Sequence, residues 1–380
     1  MAGASDAGTA PSDESRRLER VIEALRRRAG SSGFLPFDRF VEIALYAPEI
    51  GFYTRRGLEL GRGGDFYTAA HVSPLFGATL AARIKEEYLR LGAPETFQVV
   101  EVGPGDGTLT TDLLGSLARD PHLGSHPLAY DIVERSPALV DRLRPKLEGL
   151  HSPNGRRMRY SSSLAGLGPF VGVLVANEVL DAFPFRRLIV RDGNYQELGV
   201  RFTGDTLDWA EEPVRTAVTG PPLPQGLEEG SVVEISSGAE AFLREVGDQL
   251  IAGAALFLDY GEDEPALVHR HPRGTLTAFR RHRIVENPLE APGSSDLSAH
   301  VNFRRIRAAA QRAGLRETAY DPQSVALGRW GFPALQADAL RGAKSEEEKV
   351  RLALAAKNLL FGFENFKALE LEPAAVSVAK

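Results

Sequence analysis

The chain of 380 residues is long enough for two domains or for one elaborated domain. Its apolar fraction of 43 % and charged fraction of 25 % are ordinary for a soluble globular protein, and its net charge of −6 argues against a nucleic-acid partner. The absence of cysteine excludes disulfides and thiolate zinc sites. Because no apolar run is long enough for a membrane span and the polar start lacks a targeting signal, we expect a cytoplasmic protein.

The first ninety residues predict a mostly helical cap. We interpret 1–30 as a disordered tail and a first helix, Glu14–Arg28, with apolar residues on one face. In 31–92, a second helix begins at Pro36 and stops at Pro48, and a third follows Pro74. The segment between them, rich in glycine and aromatic residues, predicts an ordered loop that covers a bound ligand.

The pattern then changes to alternating strands and helices, which indicates a parallel sheet with helices on both faces. Residues 93–183 form the first part of this core and 231–330 the second. Residues 184–230 interrupt it as a β-rich insertion, in which Asp192-Gly193 predicts a hairpin. Residues 331–380 read as C-terminal helices and a tail, with a helix over Lys344–Lys367 and fraying after Glu370. The predicted core strands are Phe97–Val102, Ala129–Glu134, Met158–Ser162, Val171–Ala176 and Ala255–Asp259, and the predicted helices are Thr108–Arg119, Pro137–Leu150 and Ala239–Leu250.

A glycine-rich turn connects the first predicted strand of the core to its helix. The sequence VVEVGPGDGTLTTDLL, Val99–Leu114, places Glu101 before Gly103, Gly105 and Gly107. The third glycine comes too early for a dinucleotide fingerprint, and no lysine follows as in a phosphate loop. Since Glu101 and Asp106 would repel a pyrophosphate, a cationic adenosine ligand such as S-adenosylmethionine fits better. A purely structural turn remains the alternative.

Acidic and amide side chains follow two further strands of the predicted core. Glu134 ends the second strand, where its carboxylate would accept from both ribose hydroxyls, unless it is only a solvated strand end. The fourth strand continues into ANEVLDAFP, which places Asn177, Glu178 and Asp181 at the edge where α/β sheets bind ligands.

Two interpretations of the ANEVLDAFP segment remain open. If it starts a helix, Glu178 and Asp181 share one face and would hold a cationic acceptor and take its proton, with Asn177 as the positioning residue. Alternatively, Asn177 only caps the helix, and Asp181 pairs with Arg186 or Arg187 to anchor the insertion.

Four blocks in order resemble the MidA family of S-adenosylmethionine-dependent methyltransferases: GGDFYTAAHVSPLFG, EVGPGDGTL, ANEVLDAFP and SSDLSAHVNF. With their flanks they cover Gly33 to about Trp330. The sequence departs from the family pattern at Ala70 and His71, where Pro and Glu are common, and at Asp106, where a basic or polar residue is frequent. The resemblance implies a class I, Rossmann-like methyltransferase fold with a helical N-terminal extension and an inserted substrate region.

The resemblance also implies an enzyme of the methyltransferase class that binds S-adenosyl-L-methionine. Mitochondrial members of the family methylate an arginine of a complex I subunit, which suggests a protein substrate here. A small-molecule O- or N-methyltransferase, or an assembly factor that binds the cofactor without catalysis, remain alternatives. A homodimer is left open.

The remaining candidate residues come from the cap loop and the last block. Thr68 and Ser73 would donate to the methionine carboxylate, and Asp65 would meet the ammonium or the acceptor. His300 is a second candidate for a catalytic base, with a structural hydrogen bond as its alternative. His269 and His271 lack a third ligand nearby, so we predict no metal site.

Overall fold

The computed structural model describes residues 12–55, 58, 68–125, 128–150, 158–280 and 283–374; the candidate Asp65 lies outside them. The helices of the described residues are α1 Asp13–Ala29, α2 Phe37–Tyr46, α3 Ala69–Val72, α4 Pro74–Arg90, α5 Thr108–Arg119, α6 Pro137–Leu147, α7 Ser237–Gln249, α8 Glu264–Arg270, α9 Phe303–Arg312, α10 Gln323–Arg329, α11 Phe332–Gly342 and α12 Glu346–Phe361. The strands are β1 Phe34–Pro36, β2 Gln98–Val102, β3 Ala129–Val133, β4 Arg159–Ser161, β5 Phe170–Asn177, β6 Arg186–Arg191, β7 Asn194–Thr203, β8 Thr206–Pro213, β9 Val232–Ile235, β10 Leu250–Glu262, β11 Thr277–Arg280, β12 Arg283–Ile284, β13 Asp296–Ser298, β14 Val301–Asn302, β15 Leu315–Pro322 and β16 Phe366–Pro373.

The central sheet has the strand order β15-β16-β10-β5-β2-β3-β4, and β14 pairs with β10. Strands β4, β3, β2, β5 and β10 are parallel, whereas β16 is antiparallel to both of its neighbours. The chain starts in the middle at β2, proceeds to β3 and β4 on one side, and then returns to β5 on the other. The Rossmann-like α/β fold expected from the sequence is confirmed, with its topological switch point between β2 and β5.

The two faces of this sheet pack against different helices. One apolar cluster joins the sheet to α4, α5 and the C-terminal helices, with Phe76, Leu113 and Leu359 fully buried. The other joins it to α7 and α9 through Leu243 and Phe303. These strands are buried on both faces, which explains their nearly continuous apolar sequences.

The predicted β-rich insertion is part of a second, five-stranded sheet. Its order is β1-β7-β6-β9, with β8 pairing to β7. The Asp192-Gly193 turn has φ values of 50° and 73°, which suits a tight hairpin between β6 and β7. This sheet also uses β1 from the expected helical cap and β9 from the expected second part of the core, so its sequence limits are wider than 184–230.

The C-terminal prediction is wrong in one respect. The helix α12 ends at Phe361, and the residues we expected to continue it and then fray form β16. This strand lies between β10 and β15, with Ala368, Leu369 and Leu371 fully buried. Across the described residues, no helix is long and apolar enough to cross a membrane.

Candidate active site

A cavity of about 470 Å³ opens at the carboxyl ends of β2, β3 and β5. This is the place where doubly wound sheets bind ligands, because the chain leaves neighbouring strands in opposite directions there. Its lining combines the glycine turn, the ends of three strands and parts of the N-terminal cap. The polar and glycine residues among its lining include Tyr46, Tyr53, Thr68, His71, Glu101, Gly103, Gly105, Asp106, Glu134, Asn177, Glu178, Asp181 and Asp296.

The glycine turn exposes backbone to the cavity. Gly103 and Gly105 have φ values of 62° and 58°, a region that side-chain-bearing residues rarely adopt. No atom lies within 4 Å of the position that a Cβ on Gly105 would take, so that side of the turn is open to a ligand. Gly107 differs, because its Cβ would lie 2.7 Å from Leu143 and the residue does not line the cavity. We therefore assign Gly107 to packing between α5 and α6 rather than to ligand contact.

Glu101 is buried beneath the turn at 2 % exposure. One carboxylate oxygen, Oε2, accepts from the hydroxyls of Thr110 and Tyr130, each at 2.6 Å. The other, Oε1, is buried without a hydrogen-bond partner among the described residues. Burial raises the pKa of Glu101 to about 7. An unpaired buried carboxylate oxygen on a cavity wall suits a cationic ligand group, and this matches S-adenosylmethionine.

The predicted ribose residue also lines the cavity. Glu134 follows β3, and its Oε1 accepts from the backbone N–H of Ser136 at 2.7 Å. Burial raises the pKa of Glu134 to about 7, in spite of that hydrogen bond. Asn177 ends β5 on the same wall, and its Oδ1 is buried without a partner in the described part of the chain.

The segment after β5 is a turn and not the helix that we expected. Glu178 has a φ of 54°, which is incompatible with a right-handed helix. Asp259, within β10, accepts from the backbone N–H groups of Val179 at 3.1 Å and Leu180 at 2.8 Å. A carboxylate from a neighbouring strand therefore fixes this turn, and the sequence interpretation overlooked that role of Asp259.

The turn nevertheless brings Glu178 and Asp181 together at the cavity. Burial, and then the charge of Asp181, raise the pKa of Glu178 to about 8. Burial also raises the pKa of Asp181 to about 6, although the Tyr260 hydroxyl donates to its Oδ2 at 2.6 Å. The suggested pairing of Asp181 with Arg186 or Arg187 is wrong.

Both of those arginines have other partners. Arg186 pairs with Glu197 and Arg187 with Glu234, all within or beside the second sheet. Glu197 and Glu234 therefore pair with these arginines in place of Asp181.

Two of the three departures from the MidA pattern, His71 and Asp106, lie against each other. His71 closes a capping box at the start of α3, because its Nδ1 accepts from the backbone N–H of Thr68 at 3.1 Å. Its Nε2 is therefore the protonated nitrogen, and it lies 3.3 Å from Oδ1 of Asp106 in the glycine turn. Although burial alone would raise the pKa of Asp106, hydrogen bonds from His71 and Thr108 lower it. His71 thus joins the cap to the cofactor turn.

Besides Gly107, two further predicted residues do not line the cavity. Ser73 is the N-cap of α4, with its hydroxyl accepting from the N–H of Leu75 at 3.3 Å. His300 lines a separate pocket of about 30 Å³ and packs edge-on against the rings of Tyr260 and His271. In the described part of the chain, no three His, Cys, Asp or Glu side chains are arranged to hold a metal ion.

The sequence interpretation missed the residues that the cap and β13 contribute to the cavity. Tyr46 and Tyr53 stack with ring centroids 5.6 Å apart, and the Tyr53 hydroxyl donates to Oδ1 of Asp296 at 2.8 Å. Asp296 belongs to the SSDLSAHVNF block, in which we had singled out only His300. The aspartate of that block, Asp296, was the sequence feature that could have indicated this contribution to the cavity.

The strand order and this site define a class I S-adenosylmethionine-dependent methyltransferase. Residues 79–320 match the model of a family described as "Putative S-adenosyl-L-methionine-dependent methyltransferase". The chain therefore belongs to this family, and the resemblance to MidA proteins is confirmed.

Solved structures and curated relatives agree with this assignment. A Burkholderia thailandensis protein crystallised with S-adenosyl-homocysteine superimposes with a TM-score of 0.84 at 32 % identity, covering 96 % of this chain and 94 % of that chain. The protein arginine methyltransferase NDUFAF7 homolog, mitochondrial, of Drosophila melanogaster is 29 % identical over 77 % of this chain and 70 % of its own length. The Danio rerio NDUFAF7 protein is 27 % identical over 76 % and 71 %. These relatives are named as mitochondrial, and the cytoplasmic location expected here stays a prediction.

Proposed function

We propose that the protein transfers a methyl group from S-adenosyl-L-methionine to an arginine side chain of a protein substrate. The observation that carries the proposal is the pair of carboxylates, Glu178 and Asp181, on the wall of the cofactor cavity. Two buried carboxylates close together are costly unless a cation joins them. A guanidinium supplies that cation, and its planar fork matches carboxylate geometry. The names of the curated relatives agree with this choice.

The residues that line the cavity divide into two groups in the proposed reaction, one for the cofactor and one for the acceptor. When bound, the cofactor supplies an electrophilic methyl group on its sulfonium. Glu101, the Gly103–Gly105 backbone, Glu134 and Asn177 hold it. A guanidinium does not lose its proton in water near neutral pH, because its pKa is above about 12. Glu178, whose pKa burial raises to about 8, is basic enough to accept that proton, while Asp181 holds the cation.

The test follows the methyl group. The protein is incubated with methyl-labelled S-adenosyl-L-methionine and a cell lysate, which is then split into protein and metabolite fractions. Label in protein that hydrolyses to methylarginine supports the proposal. Label in the metabolite fraction, or on another amino acid, overturns it in favour of a different acceptor.

Two variants connect this activity to the carboxylates. Glu178→Gln and Asp181→Asn should retain cofactor binding and lose transfer by roughly 10²-fold or more. The matched control is Asp263→Asn, which removes a carboxylate just beyond β10 that pairs with Arg307 outside the cavity. Full transfer activity in both test variants would remove these carboxylates from the mechanism.

A further inference from the structure

The carboxylates of Glu178 and Asp181 differ in the hydrogen bonds that they receive. The Tyr260 hydroxyl donates to Oδ2 of Asp181 at 2.6 Å. The donors to Oε1 of Glu178 lie farther away, with Nδ2 of Asn177 at 3.2 Å and the backbone N–H of Ala69 at 3.4 Å. A short bond from a hydroxyl stabilises a carboxylate in its ionised form. The ionised form is therefore favoured more strongly at Asp181 than at Glu178.

The Tyr260 side chain is held in place as a donor. Tyr260 follows Asp259 in β10, and its ring centre lies 5.3 Å from that of His300 and 5.5 Å from that of Phe366. Burial, and then the charge of Asp181, raise the pKa of Tyr260 well above its ordinary value, so the phenol stays protonated. Because Tyr260 does not line the cofactor cavity, any effect that it has on a ligand passes through Asp181.

The pKa values of the two carboxylates are held apart. Burial, and then the charge of Asp181, raise the pKa of Glu178 to about 8. Burial raises the pKa of Asp181 only to about 6, because the Tyr260 hydrogen bond acts in the opposite direction. A pair of carboxylates held apart in this way divides into one anion and one group that exchanges protons near neutral pH.

We propose that Tyr260 is a positioning residue for methyl transfer: its hydroxyl holds Asp181 as the anion that binds the acceptor cation and thereby leaves Glu178 to accept the proton. The attacking nitrogen of the acceptor gains the methyl group as the bond from that group to the cofactor sulfur breaks, and the proton of the nitrogen passes to Glu178. The methylated guanidinium keeps its positive charge, so Asp181 balances it before and after transfer. This inference rests on the proposed function, because the cation that Asp181 binds is the arginine acceptor.

Other ionisable groups also face Asp181. From the cavity side and from beneath the turn, these are Tyr46, Tyr53, Glu178, Asp259 and Asp296. In a second pocket of about 30 Å³ that Asp181 also lines, they are Glu234, Glu240, His300 and Arg305. Substitution of Tyr260 retains all of these groups, so a difference between two pH profiles reports on the bond from Tyr260 to Asp181.

The experiment measures initial methylation rates as a function of pH, with a degenerate peptide mixture that has a central arginine. The peptide is kept dilute, so that the rate follows kcat/KM, and S-adenosyl-L-methionine is saturating, so that titration of Glu101 and Glu134 does not limit cofactor binding. In the wild type, the rate should rise steeply while both carboxylates titrate, less steeply while only Glu178 titrates, and then level off.

In Tyr260→Phe, we expect the lower step to move up by roughly one to two pH units, because Asp181 loses a hydrogen bond to its charged form. The rate at about pH 6 should fall roughly fivefold to fiftyfold, and the rate at about pH 9 should stay within about twofold of the wild type. A merely structural role would instead lower the rate by the same factor at every pH. In an Asp181→Asn background, Tyr260→Phe should have no further effect.

The control is Tyr195→Phe, which removes a phenolic hydrogen bond to the Pro224 carbonyl outside the cavity and should keep the wild-type profile. If Tyr260→Phe does not fold, 3-fluorotyrosine at position 260 decides, since its more acidic hydroxyl donates more strongly and should move the lower step down in pH.

Two results overturn the inference and leave the proposed function standing, provided that the wild type methylates arginine. One is a lower step that does not move in the Tyr260 variant that folds, and the other is a loss by the same factor at every pH. Failure of the wild-type protein to methylate any arginine peptide overturns the proposed function, and the inference with it.

Discussion

The two walls of the cavity are built by different means. The cofactor wall comes from the ends of β2, β3 and β5, where positive φ values at Gly103 and Gly105 expose backbone and Glu101 leaves one oxygen unpaired. The second wall comes from the cap and β13, where side chains such as Tyr53 and Asp296 hydrogen-bond to one another. The first wall is local in sequence and the second depends on contacts across 243 positions. Substitutions in the two walls should therefore affect different steps: binding of the cofactor and handling of the acceptor.

The largest effect should come from Glu178→Gln, because we propose that Glu178 acts on the acceptor although it directly follows β5 on the cofactor wall. For the wild-type protein we expect kcat/KM to rise with pH until it levels off near pH 8, since burial raises the pKa of Glu178 to about 8 and only the carboxylate accepts a proton. The variant should lose roughly 10² to 10⁴-fold in kcat/KM. Its remaining activity should no longer rise over that pH range.

A pH–rate profile of both proteins, with cofactor Kd measured at each pH, checks this prediction. An unchanged profile in Glu178→Gln would show that another group accepts the proton. A parallel loss of cofactor binding would show that Glu178 also serves the cofactor.

On the cofactor wall, Gly105→Val should have the largest effect. The new side chain would enter the open space beside the turn, where the ligand must approach the backbone. We expect cofactor affinity to fall roughly 100-fold, which corresponds to about 2.7 kcal/mol. Calorimetric titration with S-adenosyl-homocysteine measures this loss.

The matched control for backbone strain is Gly314→Val. Gly314 has a φ of 73° and, like Gly105, no atom within 4 Å of an added Cβ, but it does not line the cavity. It should lose about 1–2 kcal/mol of stability from the left-handed backbone and keep its cofactor affinity. Equal affinity losses in both variants would attribute the Gly105 effect to strain rather than to contact.

The cofactor wall was largely predictable from sequence because its information is local. A strand, an acidic residue and a glycine turn within sixteen positions predicted Glu101, Gly103 and Gly105, and all three line the cavity. Gly107 was predicted from the same pattern but packs against Leu143, and the sequence does not separate the two roles because both use a glycine with a positive φ.

The second wall, from the cap and β13, could not be predicted in the same way. Tyr46 and Tyr53 look like ordinary apolar cap residues until the fold places Asp296 beside them. The helix expected after β5 is replaced by a turn in which Glu178 has a φ of 54°. Asp259, about 80 residues later, accepts from the backbone N–H groups of this turn, and a contact over that separation gives no local sequence signal. Strand β16 was missed although Phe366–Pro373 alternates in hydrophobicity, because the preceding helical pattern runs into it.

A smaller effect is expected from Glu101→Gln, which keeps the shape of the side chain but removes its charge. Cofactor affinity should fall roughly tenfold, since the unpaired oxygen loses its charge toward a cationic ligand. Burial raises the pKa of Glu101 to about 7. The part of the unfolding free energy that depends on this group is therefore fully present below the ordinary glutamate pKa and is lost as the pH rises toward 7. At pH 8 this loss is on the order of 3 kcal/mol, and the variant should not show it.

Glu87→Gln tests a buried glutamate whose pKa is shifted in the opposite direction from that of Glu101. Glu87 is also buried, but hydrogen bonds from Arg90 and Arg83 lower its pKa in spite of burial. Its stabilisation is therefore present above the ordinary pKa and is lost as pH falls. Urea unfolding at pH 5 and pH 8 should show Glu87→Gln destabilised at pH 8 by roughly 1–3 kcal/mol with cofactor affinity retained. If both glutamates behave alike, Glu101 is a structural residue and its assignment to the cofactor is wrong.

The smallest effect concerns the contact that joins the cap to the cofactor wall. Nε2 of His71 lies 3.3 Å from Asp106 Oδ1, and the backbone N–H of Thr108 donates to the same oxygen at 3.1 Å. Removing either partner by His71→Gln or Asp106→Asn should weaken cofactor binding only a fewfold, because the glycine turn keeps its backbone hydrogen bonds. The two changes should not add, since each removes the same contact, and a coupling energy of about 1 kcal/mol is expected from the double-mutant cycle. Cofactor Kd values for the wild type, both single variants and the double variant measure that coupling. Strictly additive effects would mean that the proximity of His71 to Asp106 contributes nothing to cofactor binding.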